Sequence, residues 1–193
     1  MRIKEYGARG AALLVIAATL LLTCALPLAA RAAVASDEAE ARSVAQEVFQ
    51  QLKSRQYDAL YDRLPASSRA RVSRERFTEA LRRTQDMYEL DRMEIGAARV
   101  SGNVAVVDTV MYGRLLRPIE SEGKIVAQQY LVREDGQWRV ATGDRATVRR
   151  FLDANPKFAK KFPVRAPRVY MKRDGRWVDV TAMLKTAARR RAS

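Results

Sequence analysis

Histidine is absent from this chain and cysteine occurs once, at Cys24. Charge is missing from Gly10 to Ala30, and acidic residues are scarce beyond Arg145. Without histidine there is no imidazole catalysis and no histidine metal ligand. If the chain is cut near Ser36, the remainder has no cysteine either. Disulfides, thiolate chemistry and every Cys/His metal site are then excluded, so neither a metal nor a cofactor is expected. Stability must come from a hydrophobic core, which residues 36–193 are numerous enough to build as one domain.

The charge-free run sits in a telling context. Arg2, Lys4 and Arg9 precede it, against the single acid Glu5, and Ala11 to Leu22 is almost purely Ala, Leu, Val and Ile. Ala30-Arg31-Ala32 and Ala33-Val34-Ala35 offer small-residue cleavage sites ahead of Ser36-Asp37-Glu38. A basic start, an apolar run and an A-x-A exit are the three parts of a secretory signal peptide. The run is also long enough to span a bilayer, so the alternative is an uncleaved tether through residues 11–30. A third reading places a lipid on Cys24, because Leu21-Leu22-Thr23-Cys24 resembles the bacterial lipoprotein box, with Thr23 where a small residue is usual. Positive residues ahead of an apolar run stay in the cytoplasm. The rest of the chain is therefore expected to be exported, periplasmic or extracellular.

Charge is unevenly spread over that remainder. Ser36 to Asp144 carries 17 Lys and Arg against 18 Asp and Glu, whereas Arg145 to Ser193 carries 15 against 3. A near-neutral body thus precedes a segment of net charge +12. Such asymmetry points to an anionic partner. The chain accordingly divides into 1–35 as export signal or anchor, 36–144 as a folded domain, and 145–193 as a basic extension.

Apolar spacing predicts helix from Asp37 to Leu64, with Val44, Val48, Phe49 and Leu52 on one face and a break at Ser54-Arg55-Gln56. Tyr57, Leu60, Tyr61 and Leu64 form a second stripe, which Pro65 ends. Ser73 is an N-cap for a third helix, with Phe77, Ala80 and Leu81 inward. The period then changes to two. Met93, Ile95 and Ala97 alternate, Ser101-Gly102-Asn103 marks a turn, and Val104 to Tyr112 is β-rich. Ile125 to Arg133 is a third strand, and Asp135-Gly136 is a two-residue hairpin turn leading to Trp138–Ala141. Helices succeeded by antiparallel strands argue for an α+β fold. Beyond Asp144, Thr147 to Asp153 reads as a short helix with Val148, Phe151 and Leu152 inward. Pro156, Pro163 and Pro167 punctuate the stretch after it. Tyr170 to Val180 forms a second hairpin around Asp174-Gly175, and Thr181 to Ala188 a last helix.

The order of a helix, Gln56-Tyr57-Asp58-Ala59-Leu60-Tyr61, a Pro-Ala-Ser-Ser loop, Ser73-Arg74-Glu75-Arg76-Phe77 and strands ending in Glu134-Asp135-Gly136-Gln137-Trp138-Arg139-Val140 resembles the nuclear transport factor 2-like superfamily. More narrowly, the pattern resembles small exported bacterial members of unknown function. The resemblance covers Ala39 to Thr142 and implies a cone, a cystatin-like roll in which a curved antiparallel sheet wraps helices and can leave a pocket. Some members of that superfamily are isomerases or dehydratases, and many are binding or dimerisation modules, so fold alone does not fix function.

Proton transfer in such a cone needs a carboxylate base beside a hydrogen-bond donor in an apolar pocket. Asp108 and Tyr112 lie four apart on one strand face, and Tyr57 and Tyr61, one helical turn apart, are further pocket-lining candidates. The alternative is that both α-helical tyrosines are core residues and that Asp108 pairs with an arginine such as Arg114. The same strand is apolar on both faces, since Ala105, Val107 and Met111 oppose Val104, Val106 and Val110. It must therefore be covered twice. The helices supply one cover; the second is expected to be a symmetric partner subunit or the C-terminal hairpin.

The basic segment mixes cations with aromatic residues. Lys157, Lys160, Lys161 and Arg165 flank Phe158 and Phe162, while Arg168, Lys172, Arg173 and Arg176 flank Tyr170 and Trp177. Arg189, Arg190 and Arg191 close the run. This combination suits nucleic acid or a membrane interface. Export removes nucleic acid as the expected partner and leaves an anionic membrane or envelope polymer. The sequence thus predicts a non-enzymatic binding or scaffolding domain of the bacterial cell envelope. The alternative is a small-molecule cone pocket, carrier-like or an isomerase or dehydratase, with its ligand unknown.

Overall fold

The structure is a computed structural model that describes residues 34–117, 120–141, 145–163, 165–184 and 186, with the side chains of residues 145–147 and 151 set aside. The export segment, Cys24 and Arg189–Arg191 lie outside the described residues. The chain divides into two units, Met1–Asp37 and Glu38–Ser193, and the second carries the folded body.

Helix α1 occupies residues 34–53. Its apolar repeat turns Ala41, Val44, Ala45 and Phe49 inward, all buried. The helix stops where Arg55 adopts a left-handed φ of 59°, and Gln56 N–H donates to the Gln51 carbonyl at 2.8 Å. Helix α2 (Tyr57–Asp62) comes next, with Tyr57 and Leu60 buried. The predicted Pro-Ala-Ser-Ser loop is instead a single helical turn, α3 (Ala66–Arg69). Pro65, at φ −58°, begins it, and its carbonyl accepts from the backbone N–H groups of Ser68 and Arg69. Helix α4 (Arg74–Arg82) is capped by Ser73, whose hydroxyl accepts from Arg76 N–H. Ala80 is exposed, contrary to the predicted stripe, and Thr78 is buried in its place. The rotation is set by Phe77, which packs on Tyr61 at 5.8 Å, while the Thr78 hydroxyl is satisfied by the Glu75 carbonyl.

The helices lead into a curved antiparallel sheet of six strands, the α+β arrangement that the change of period implies. These are β1 (Tyr88–Ser101), β2 (Val104–Leu115), β3 (Ser121–Glu134), β4 (Gln137–Val140), β5 (Arg168–Arg173) and β6 (Arg176–Asp179). The path runs β1-β2-β3-β5-β6; β4 pairs one end of β3 and β5 the other. Asp135-Gly136 and Asp174-Gly175 join their strands with φ of 50° and 75°, and 49° and 75°. Two successive positive φ values match the twist of a tight hairpin, which is why Asp-Gly is so informative. Between β4 and β5 lie α5 (Arg145–Ala154) and α6 (Pro156–Lys161). Helix α6 is not expected from the sequence, where its proline reads as a breaker. Pro156 stands at the first helical position, where no N–H is needed.

Strand β2 is covered on both faces, though not as expected. Ala105 and Val107 join Ala41, Val44, Ala45, Leu131, Trp138 and Val140 in one core under α1. Val104 and Val106 join Tyr130, Leu152 and Phe158 in a second core. The second cover is therefore α5 and α6. The β5–β6 pair does not fold over β2 but extends the sheet beside β3.

Two irregularities in β1 shape its edge. A register shift between Ile95 and Ala98 turns Ala98 inward instead of Ala97. A second, between Leu90 and Arg92, brings the β1 backbone so close that a Cβ on Gly113 would collide with the Glu89 carbonyl oxygen.

Candidate functional site

Asp108 and Gln128 face each other across β2 and β3, two residues along each strand from the paired Val106 and Tyr130. They lie at the rim of the α5–α6 core and form a polar clasp. One Asp108 carboxylate oxygen accepts from Arg99 at 2.8 Å, and both accept from the Arg165 guanidinium, at 2.8 and 3.0 Å. Gln128 donates to Asp108 at 3.4 Å. Its amide oxygen accepts from the Tyr130 hydroxyl and from the Arg165 backbone N–H, each at 2.8 Å. Arg99 also reaches over the Phe162 ring, 5.7 Å from its centroid. Burial pushes the Asp108 pKa up, but the hydrogen bond and charge of Arg99, with those of Arg165, outweigh it, and the net direction is downward. A proton-abstracting base needs the opposite tuning, towards neutrality. Asp108 is ionised and bound to two arginines. Its partners are not the predicted Arg114, which pairs with Glu120 at 3.1 Å.

The four pocket candidates are not brought together. Tyr57 is buried and its hydroxyl donates to Gln85 at 3.5 Å; burial raises its pKa. Tyr61 donates to the carbonyls of Arg69 and Val72, and Arg74 covers its ring at 4.6 Å. Both serve the packing of α2 on α3 and α4. Tyr112 alone lines a groove, of about 790 Å³, between the outer ends of β1, β2, β3, β5 and β6. Its hydroxyl donates to Glu94 at 3.0 Å, Arg92 lies 3.8 Å over its ring, and Trp177 meets it edge-on at 6.3 Å. Burial and the Glu94 carboxylate push the Tyr112 pKa up. The groove's cations, Lys53, Arg92, Arg114 and Lys172, equal its acids, Glu89, Asp91, Glu120 and Glu122, in number. Its charge is balanced, unlike that of the C-terminal segment. Among the described residues there is no group of three or more acidic or thiol side chains placed to hold a metal.

The basic residues of the C-terminal segment separate into two sets. Arg165 is committed to Asp108, and Lys172 to Glu122 at 2.8 Å. Arg168 is raised in pKa by a hydrogen bond with Tyr170. Lys161 sits over Phe162 at 5.4 Å. Lys157 and Lys160 on α6, and Arg173 and Arg176 at the end of β5–β6, are exposed and make no ion pair among the described residues. Lys124, which the sequence does not single out, lies 5.3 Å over Tyr170 and 4.6 Å over Trp177. It carries no signal in the sequence; the strand pairing places it opposite Tyr112 and Tyr170. No helix among the described residues is long and apolar enough to cross a membrane. Comparison with known proteins finds no family model that matches the chain and no curated protein similar to it.

Proposed function

We propose that this chain is an exported, non-enzymatic binding domain of the bacterial cell envelope that docks on an anionic surface through its C-terminal segment. The cone of the nuclear transport factor 2-like superfamily is the fold proposed for its body. One observation carries the reading: the segment of net charge +12 is held to the body by the Asp108 clasp, yet Lys157, Lys160, Arg173 and Arg176 are left exposed without acidic partners among the described residues. Each cation near an anionic bilayer contributes roughly 1 kcal/mol, so each of the two pairs contributes on the order of 2 kcal/mol. The test is co-sedimentation of residues 36–193, which contain all of both hydrophobic clusters, with phosphatidylglycerol-containing and pure phosphatidylcholine vesicles. Binding to the first alone, reversed by salt, supports the proposal. Equal binding to both, or to neither, overturns it.

The second reading, a small-molecule site, is favoured by the groove beside Tyr112 and Trp177. A ligand there would quench or shift Trp177 fluorescence in a Trp138→Phe background. A library of small apolar and polyhydroxylated compounds that leaves that emission unchanged removes this reading.

A further inference from the structure

Strand β5 and strand β6 close on two arginines. Arg173 and Arg176 are directly opposite each other, flanking the Asp174-Gly175 turn. Like charges opposite one another destabilise an antiparallel pair, and no ion pair relieves them among the described residues. Residues paired across a ladder share a face, and the face alternates along each strand. Met171 is paired with Val178, two residues from the arginines on the same face, and Val169 is paired with Ile125 two residues further along. Val178 is 40% exposed and Ile125 37% exposed. This face of the pair is thus apolar with a doubly cationic tip, while Asp179 belongs to the opposite face, where it pairs with Tyr170.

Among the described residues Val178 and Ile125 leave this apolar face open to an occupant. A second copy on it would have to receive the arginine pair, and the paired residues of this face include no acid to do so. An anionic bilayer meets both halves: guanidinium groups take lipid phosphates bidentately, and short apolar side chains reach the headgroup–acyl boundary. We propose that this face of the β5–β6 pair is the surface that seats on an anionic phospholipid bilayer. Arg173 and Arg176 hold lipid phosphates, and Met171, Val178 and Ile125 enter the boundary region. The inference rests on the surface-binding reading under Proposed function and names its contact residues.

Residues 36–193 contain no cysteine, so Val178→Cys can carry a single polarity-sensitive fluorophore. With phosphatidylcholine vesicles containing phosphatidylglycerol, the emission is expected to shift to the blue, and with phosphatidylcholine alone to stay put. Arg173→Gln with Arg176→Gln is expected to lower the partition coefficient about 30-fold, at roughly 1 kcal/mol per cation, with unchanged circular dichroism. Suppose the protein binds the anionic vesicles but the fluorophore stays in water. Or suppose Lys157→Gln with Lys160→Gln weakens binding while the arginine pair does not. Either result overturns this face and leaves the surface-binding reading intact. No binding to any vesicle removes both. A fluorophore already in an apolar setting without vesicles, together with a dimeric mass by light scattering, assigns the face to a second copy and overturns the proposal.

Discussion

Replacing Asp108 by alanine removes the acceptor on which Arg99 and Arg165 converge, and the cost depends on their exposure. The side chains of Asp108 and Arg99 are 26% and 29% exposed, whereas that of Arg165 is 63% exposed. A hydrogen bond between charged groups contributes about 1.5–3 kcal/mol. The Arg99 arm, only partly screened, is placed at roughly 1.5 kcal/mol, and the solvent-facing Arg165 arm at about 0.5 kcal/mol. Asp108→Ala should therefore destabilise by about 2 kcal/mol in urea unfolding. A double-mutant cycle should give a larger coupling for Arg99→Gln than for Arg165→Gln. The pH dependence has a defined sign. The folded-state pKa of Asp108 is lowered, so its contribution is fully present above the unfolded value of about 3.9. It is lost as pH falls through the lower folded value. The gap between wild type and Asp108→Asn should thus be constant at neutral pH and shrink below about pH 4. An Asp108→Ala protein as stable as wild type, or a coupling that favours Arg165, would refute the clasp as described.

Three further substitutions probe the frame that presents the C-terminal segment. Gly113→Ala should cost about 1–3 kcal/mol, because the added methyl meets the rigid Glu89 backbone; thermal unfolding reads it, and a neutral result would mean that the β1 irregularity is not as tight as described. Arg55→Gly should instead stabilise by about 1 kcal/mol, by relieving a left-handed φ of 59° at the end of α1, measured as a higher urea midpoint at unchanged slope. Trp138→Ala should cost about 4 kcal/mol, since the ring is 1% exposed within the α1 core, and loss of cooperative near-ultraviolet circular dichroism is the readout.

Local chemistry is legible in the sequence wherever one or two residues decide the backbone. Asp135-Gly136 and Asp174-Gly175 announce their turns, Ser73 its cap, and Ser54-Arg55-Gln56 the end of α1. The apolar residues on both faces of β2 show that both must be covered, but not by what. That depends on α5 and α6 returning across the sheet, and helix α6 is hidden by a proline that suits a first turn. Phase along β1 departs from strict alternation because irregularities at two places shift the register, and a period of two does not say where such a shift falls. The clasp is the least legible feature. Arg99, Asp108, Gln128 and Arg165 are ordinary polar residues in sequence, and only the β1–β2–β3 register and the path of the chain after α6 make them one network. Arg165 illustrates the limit. Its neighbours in sequence group it with surface-binding cations, yet its guanidinium is turned onto Asp108.

Binding of an anionic surface by the exposed cations of the C-terminal segment is the central claim. Vesicle co-sedimentation of residues 36–193 tests it most directly, with anionic and zwitterionic lipid compared at low and high salt. Binding confined to the anionic vesicles and released by salt is the predicted result. A protein that stays in the supernatant with both lipids, or that sediments equally with both, would contradict it.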